Sequence, residues 1–157
     1  MYTFRSLASV GLVSDTHGLL RRSAILALHD VELILHAGDI GKPEVLDGLR
    51  AVAPVIAVRG NVDRKLAFLP KTELVSINDQ LIYLLHDLSA LDLNPVSSRI
   101  DAVLTGHSHQ PRMQKKEGVW YINPGSIGPR RFELPIALVK LQFDTGALVP
   151  ELIKLPN

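Results

Sequence analysis

Five short runs of Val, Ile, Leu and Ala recur along the chain, and each ends at a residue able to hold a metal ion. Residues 10–13 lead into Asp15 and His17, 31–35 into Gly38-Asp39, 55–58 into Gly60-Asn61, 81–85 into His86, and 102–104 into Gly106-His107-Ser108-His109. Runs of this length, bounded by glycine and polar residues, read as strands buried on both faces. Segments of helical period lie between the early runs. Residues 23–29 bring Ile25, Leu26 and Leu28 to one side, and residues 43–52 do the same with Val45, Leu46 and Leu49. Pro43 suits a first helical turn, where its missing N–H costs little. Alternating strands and helices pair their strands in parallel through right-handed crossovers. Ligands of open α/β sheets bind in the crevice beyond the carboxyl ends of the strands. The metal-type side chains are therefore expected to gather at one edge of a sheet.

From Thr72 onward the pattern turns to hairpins. Residues 73–77 and 80–85 flank Asn78-Asp79, residues 112–116 and 119–122 flank Glu117-Gly118, and residues 136–143 and 148–155 flank Thr145-Gly146. Residues 87–99 are expected to hold one more helix, broken or restarted at Asn94-Pro95. The fold class is α/β: two mixed sheets packed face to face with helices outside, in four layers. At 157 residues the chain is long enough for one domain, spanning 1–157, that buries about 68–70% of its unfolded surface.

Composition removes several functions. The formal net charge is +1 and aromatic residues make up 5%, which leaves no general field or stacking surface for long nucleic acid. Cysteine is absent, excluding a disulfide framework and thiolate zinc sites and fitting a reducing compartment. No apolar run approaches the roughly 20 residues of a membrane span. Residues 7–13 lack the charged flank and cleavage pattern of a leader and read as the first strand. A soluble, cytoplasmic protein without membrane partners is expected. The 148–155 edge is available for pairing between subunits, so homo-oligomerisation stays open.

The donor set is the informative part. Asp15 and His17 are two residues apart, as are His107 and His109, so in extended backbone each pair projects to one side. With Asp39, Asn61 and His86 they make seven donors, more than one tetrahedral ion accepts. Two ions sharing a carboxylate fit better, because paired ions about 3.5–4 Å apart hold both the attacking and the leaving oxygen of a displacement. Two divalent ions outweigh Asp15, Asp39 and a bridging hydroxide by one positive charge, and such a site favours an anionic, phosphate-like transition state. Four imidazoles without thiolate select Mn, Fe, Co, Ni or Zn over Ca and Mg.

Asp15-Thr16-His17, Gly38-Asp39, Gly60-Asn61, His86 and Gly106-His107-Ser108-His109, in this order, resemble the five blocks of the calcineurin-like metallophosphoesterases. Chain length, His36-Ala37-Gly38-Asp39 and residues 121–126 are similar to the small single-domain phosphodiesterases of bacteria and archaea within that family. The resemblance implies a β-sandwich flanked by helices. It also implies one ion on Asp15, His17 and His109, a second on Asn61, His86 and His107, and Asp39 bridging the two. Asp39, Asn61 and His86 would then be catalytic, a metal-bridging hydroxide attacking a small phosphodiester in line. The cofactor expected is a pair of divalent transition-metal ions, manganese first.

Two positions depart from the family pattern. Where many members carry a His after the Gly-Asn pair, this chain has Val62, which cannot give a proton to a leaving group. Good leaving groups should therefore be preferred. Where relatives often read His-Gly-His, this chain reads His86-Asp87-Leu88, and Asp87 has three readings: helix cap, partner orienting a ligand His, or acid touching substrate. His36 and His29 read as packing or hydrogen-bonding residues, and Arg21-Arg22 and Lys115-Lys116 as solvated charge. Arg130 or Arg131 is placed to reach a substrate phosphate. The alternative function is a non-catalytic scaffold like the retromer subunit of this fold; a complete ligand set favours catalysis.

Overall fold

The computed structural model describes residues 1–157. Its elements are β1 (Tyr2–Phe4), β2 (Ser9–Val13), α1 (Arg22–Ala27), β3 (Leu33–His36), α2 (Pro43–Arg50), β4 (Val55–Ala57), β5 (Thr72–Ile77), β6 (Gln80–Leu85), β7 (Ala102–Leu104), β8 (Arg112–Lys116), β9 (Val119–Asn123), β10 (Ile136–Asp144) and β11 (Ala147–Leu155). They form a five-stranded sheet in the order β11-β10-β2-β3-β4 and a six-stranded sheet in the order β1-β5-β6-β7-β9-β8. In the first, β2, β3 and β4 run parallel; in the second, β6, β7 and β9 do.

Side-chain alternation explains how the layers stack. Leu33 and Leu35 of β3 point into the space between the sheets with Val10 and Leu12 of β2 and with Ile82, Leu84, Ala102 and Leu104 of the opposing sheet. Ile34 points the other way, where Val45, Leu46 and Leu49 of α2 and Ala24 of α1 close over it. Both faces of β3 are thus apolar, as a central parallel strand requires. Pro43 is at the start of α2. The three hairpin turns foreseen are present, with positive φ at Asn78-Asp79 (50° and 65°), Glu117-Gly118 (51° and 79°) and Thr145-Gly146 (48° and 81°), the geometry that matches strand twist. No helix is long and apolar enough to cross a membrane.

Four expectations change. The chain starts its sheets earlier than residue 7, since Tyr2–Phe4 pairs in parallel with Val75–Ile77 of the six-stranded sheet. Residues 87–99 contain no α-helix: Leu88–Ala90 forms a single 3₁₀ turn, and Asn94 Oδ1 accepts from the N–H groups of Val96 and Ser97 to start an isolated turn. Asn94 as cap and Pro95 as first residue suit a helix start, but the turn ends at Arg99, whose backbone is left-handed (φ 56°), just before β7. The layer over the six-stranded sheet is therefore this irregular segment, packed through Leu91, Leu93 and Ile100. The ligand-bearing edge belongs to both sheets rather than one. Lastly, the Asp15/His17 and His107/His109 pairs do not sit in extended backbone.

Leu35 is fully buried at the centre of the inter-sheet core. Leu35→Ala should lower unfolding free energy by about 2–5 kcal/mol in urea denaturation, the cost of lost burial plus a cavity.

Candidate metal centre

Asp15 and His17 follow β2, Asp39 follows β3, Asn61 follows β4, His86 follows β6, and His107 and His109 follow β7. Five of them hold positive φ: Asp15 56°, His17 46°, Asp39 54°, His107 71° and His109 60°. Left-handed backbone costs order 1–3 kcal/mol per non-glycine residue and persists only where its surroundings hold it. Those surroundings are traceable. The chain after β2 is hydrogen-bonded to the chain after β3 by Asp15 N–H to Gly38 C=O (3.0 Å), His17 N–H to Asp39 C=O (2.9 Å) and Gly18 N–H to Ile40 C=O (2.8 Å). Gly106 N–H donates to His86 C=O (2.9 Å). His107 N–H crosses from one sheet to the other to reach Asp15 Oδ2 (3.1 Å). Glycine supplies the clearance: a Cβ on Gly60 would strike the Asp39 carboxylate, and one on Gly106 the Ser14 hydroxyl and the Asp15 carboxylate.

Each aspartate has one oxygen committed and one aimed inward. Asp15 Oδ2 accepts from Ser14 Oγ (2.6 Å) and from His107 N–H, while Oδ1 is buried without a hydrogen-bond partner. Around Oδ1 lie His109 Nε2 at 3.3 Å and His17 Nε2 at 3.7 Å, and the two imidazole nitrogens are 3.1 Å from each other. Asp39 Oδ1 accepts from Val62 N–H (3.1 Å), leaving Oδ2 between His86 Nε2 (3.2 Å) and His17 Nε2 (3.7 Å). His86 Nδ1–H donates to Ala37 C=O (2.8 Å), which turns Nε2 toward the carboxylate. Metal–ligand bonds of about 2.1 Å place adjacent ligand atoms roughly 3.0–3.4 Å apart. The 3.1 and 3.3 Å separations fit that spacing, and unpartnered buried Asp15 Oδ1 and His86 Nε2 are what a metal would satisfy.

Two groups could each hold an ion: Asp15, His17 and His109, largely buried, and Asp39, His86 and His107, where His107 is open to solvent. Asn61 is exposed and lines, with His86 and Asp87, a groove of about 370 Å³. Burial alone would raise the Asp39 carboxyl, yet His86 and the Val62 N–H outweigh it and bring it down to about 2. Burial likewise opposes the lowering of Asp15, which His109 and Ser14 bring about. His86 is raised despite its burial, because Asp39 and the Ala37 carbonyl favour its charged form. His17 is lowered by burial, with His109 and Arg131 adding to that effect against the pull of Asp39 and Asp15. Both carboxylates are thus ionised at neutral pH and ready for cations.

Asp87 caps the 3₁₀ turn, its Oδ1 accepting from Ser89 N–H and Oγ (both 2.9 Å), while Oδ2 faces His107 Nε2 at 3.9 Å. Those Ser89 hydrogen bonds lower its pKa, so it has no proton to give. Arg130 turns to its own loop, with Leu134 C=O at 3.3 Å and Glu133 at 3.7 Å. The neighbouring Arg131 is the cation felt at His17.

Sequence reasoning missed the residues that hold the loops. Asp63 is buried and accepts three backbone N–H groups, from Gly60 (2.8 Å), Gly41 (2.9 Å) and Ile40 (3.1 Å), tying the Asn61 loop to the Asp39 loop. Asn123 donates to Gly106 C=O (2.7 Å) and Ser108 Oγ (3.0 Å) and accepts from Gly125 N–H (2.9 Å). Ser126 Oγ donates to Asp15 C=O (2.8 Å). Their polar type at or just beyond strand ends was one signal, and for Asn123 and Ser126 the resemblance of residues 121–126 was another. His36 plays the hydrogen-bonding role expected of it. Fully buried, its Nδ1 accepts from Gly38 N–H (3.0 Å) and its Nε2–H donates to Thr16 Oγ1 (3.1 Å), whose hydroxyl donates to Ile40 C=O (2.9 Å).

Residues 9–146 match the model of the calcineurin-like phosphoesterase superfamily domain. The chain belongs to this metal-dependent family. A probable metallophosphoesterase of Methanothermobacter thermautotrophicus is 35% identical, over 92% of this chain and 91% of that one. An archaeal phosphodiesterase of known structure is similar with a TM-score of 0.81 at 26% identity, covering 94% of this chain and 99% of its own. Vps29 of Entamoeba histolytica, solved with Zn²⁺, shares the fold with a TM-score of 0.71 at 22% identity, over 93% and 98% of the two chains.

Burial lowers the His36 pKa from 6.5 to about 4. The unfolded chain binds this proton first, so stability is full above pH 6.5 and falls between pH 6.5 and 4, by about 3 kcal/mol at this site. Urea denaturation across that range should show the drop in the wild type and a smaller one in His36→Gln. Equal drops in both would remove His36 as the cause.

Proposed function

We propose that this chain hydrolyses phosphodiesters with two divalent metal ions held at the shared edge of its sheets. The observation that carries the reading is Asp39 Oδ2, poised between His17 Nε2 at 3.7 Å and His86 Nε2 at 3.2 Å, one imidazole from each candidate group. An oxygen so placed suits a bridge. One ion would lie on Asp15, His17 and His109, the other on Asn61, His86 and His107. When bound, the ions supply Lewis-acid charge on the phosphoryl oxygens and an acidified water as nucleophile. Manganese is the metal we propose first, among Mn, Fe, Ni, Co and Zn.

The chain's own residues define the rest. Asn61 and His86 face the smaller groove with Asp39 buried behind them, and Asp87 with His107 forms the wall shared with the larger one. Val62 offers the leaving oxygen no proton, and ionised Asp87 offers none either, so the leaving group departs as an anion. Substrates with acidic leaving groups are therefore favoured. Two grooves, about 370 and 590 Å³, meet at Asp87. A phosphodiester has two arms to seat in them, whereas a monoester has one. We take residues 1–157 to act as a single domain, since both sheets share one core.

Equilibrium dialysis with Mn²⁺ should find two ions per chain, and bis-p-nitrophenyl phosphate should be hydrolysed with Mn²⁺ and not in EDTA. Asp39→Asn should lower kcat about a hundredfold or more, equivalent to about 2.7 kcal/mol, and weaken metal binding. No turnover with Mn, Ni or Zn would instead favour the scaffold reading. Val62→His should raise the rate on diesters with alkyl leaving groups by about 10- to 100-fold while changing p-nitrophenyl release far less. An unchanged rate on the alkyl diesters would refute the leaving-group account.

A further inference from the structure

The larger groove has a character that the metal centre does not explain. It encloses about 590 Å³, within the usual range for a small-molecule site, and starts at His107 and Asp87. From there it runs between the 88–91 turn and the β8–β9 hairpin, on the outer face of the six-stranded sheet. Arg112, Gln114 and Lys116 alternate along β8 and so share one face, and Gln114 is paired in register with Tyr121 of β9. Arg112 donates to the Gln114 side chain (2.9 Å), and neither Arg112 nor Lys116 takes part in an ion pair. The only acid lining the groove, Asp87, is already engaged by Ser89.

Two uncompensated cations therefore face one pocket, at positions about 13 Å apart along the strand. Between them lie a half-buried tyrosine and a glutamine amide, groups that stack against and hydrogen-bond to a planar base. Arg112 is the cation nearer the metal edge, only three residues beyond His109. An arm that leaves the reacting phosphorus, passes a base over Tyr121 and ends in a second phosphate would meet each of these groups.

We propose that this groove seats one arm of the substrate, with Arg112 beside the reacting phosphate and Lys116, at the far end, binding a second phosphate on that arm. The substrate class is then a short phosphorylated oligonucleotide of dinucleotide size rather than a simple diester. This accords with a chain whose net charge is +1: the positive charge is local, enough for one extra phosphate and not for a polymer. The assignment rests on the phosphodiesterase reading above and specifies its substrate.

The experiment compares the dinucleotides pApA and ApA, which differ only in the terminal phosphate. With Mn²⁺ bound, KM for pApA should be about tenfold below that for ApA, and Arg112→Gln with Lys116→Gln should erase that ratio. A second measurement needs no turnover: pApA titrated into metal-free protein should shift the backbone amide resonances of Gln114 and Tyr121, with Kd rising about tenfold in the double variant. Hydrolysis of bis-p-nitrophenyl phosphate with equal KM for pApA and ApA, or a ratio unchanged by the substitutions, would overturn the groove assignment. Loss of all hydrolysis alongside retained pApA binding that the double variant weakens would overturn the phosphodiesterase reading and support the groove.

Discussion

The loops at the carboxyl edge of this sandwich are organised around keeping two carboxylates ionised where water is scarce. Asp15 is fully buried and Asp39 nearly so, and a buried charge without partners is among the costliest features a fold can carry. Each aspartate meets that cost with one oxygen bonded to backbone or hydroxyl donors and the other facing imidazole. The positions of Ser14, Val62 and His107 follow from the first requirement, those of His17, His86 and His109 from the second. Remove the donors and the carboxylates would protonate or the loops would open; in either case no centre of positive charge could assemble.

A wider frame of polar residues fixes the donors themselves. Asp63 gathers three N–H groups from two loops, Asn123 spans the Gly106–Ser108 turn, and neutral His36 joins the Gly38 amide to Thr16. None of these touches the centre. They act by leaving the loops no other hydrogen-bonded arrangement, which is how left-handed backbone is retained at five positions.

What the sequence made legible follows from periodicity and chemistry together. The apolar runs located β2, β3, β4, β6 and β7, because strands buried on both faces cannot hide their composition, and six of the seven side chains singled out behind them, all but Asn61, come together in two groups. Tyr2–Phe4 escaped because three half-exposed residues on a sheet edge carry no pattern of their own. The helix expected after Asp87 is reduced to a 3₁₀ turn at Leu88–Ala90 and a capped turn from Asn94 that stops at Arg99, where the backbone turns left-handed. Asp63 and Asn123 were invisible as loop-holding residues, since an aspartate or asparagine near a strand end looks the same whether it turns the chain or braces it. The paired spacing of ligands gave the right convergence for the wrong reason: tight turns, not extended strands, aim those side chains.

Those turns have a consequence for how such a chain changes over time. At Asp15, His17, Asp39, His107 and His109 the backbone is of a kind that glycine adopts freely and that other residues adopt at a cost. The metal-type side chains are thus kept against the local preference of the fold. Were these side chains no longer selected, drift at their positions toward glycine would relieve strain without disturbing the core between the sheets. A sandwich of this kind can lose the side chains at its edge and stay folded, which leaves its surfaces available for other work.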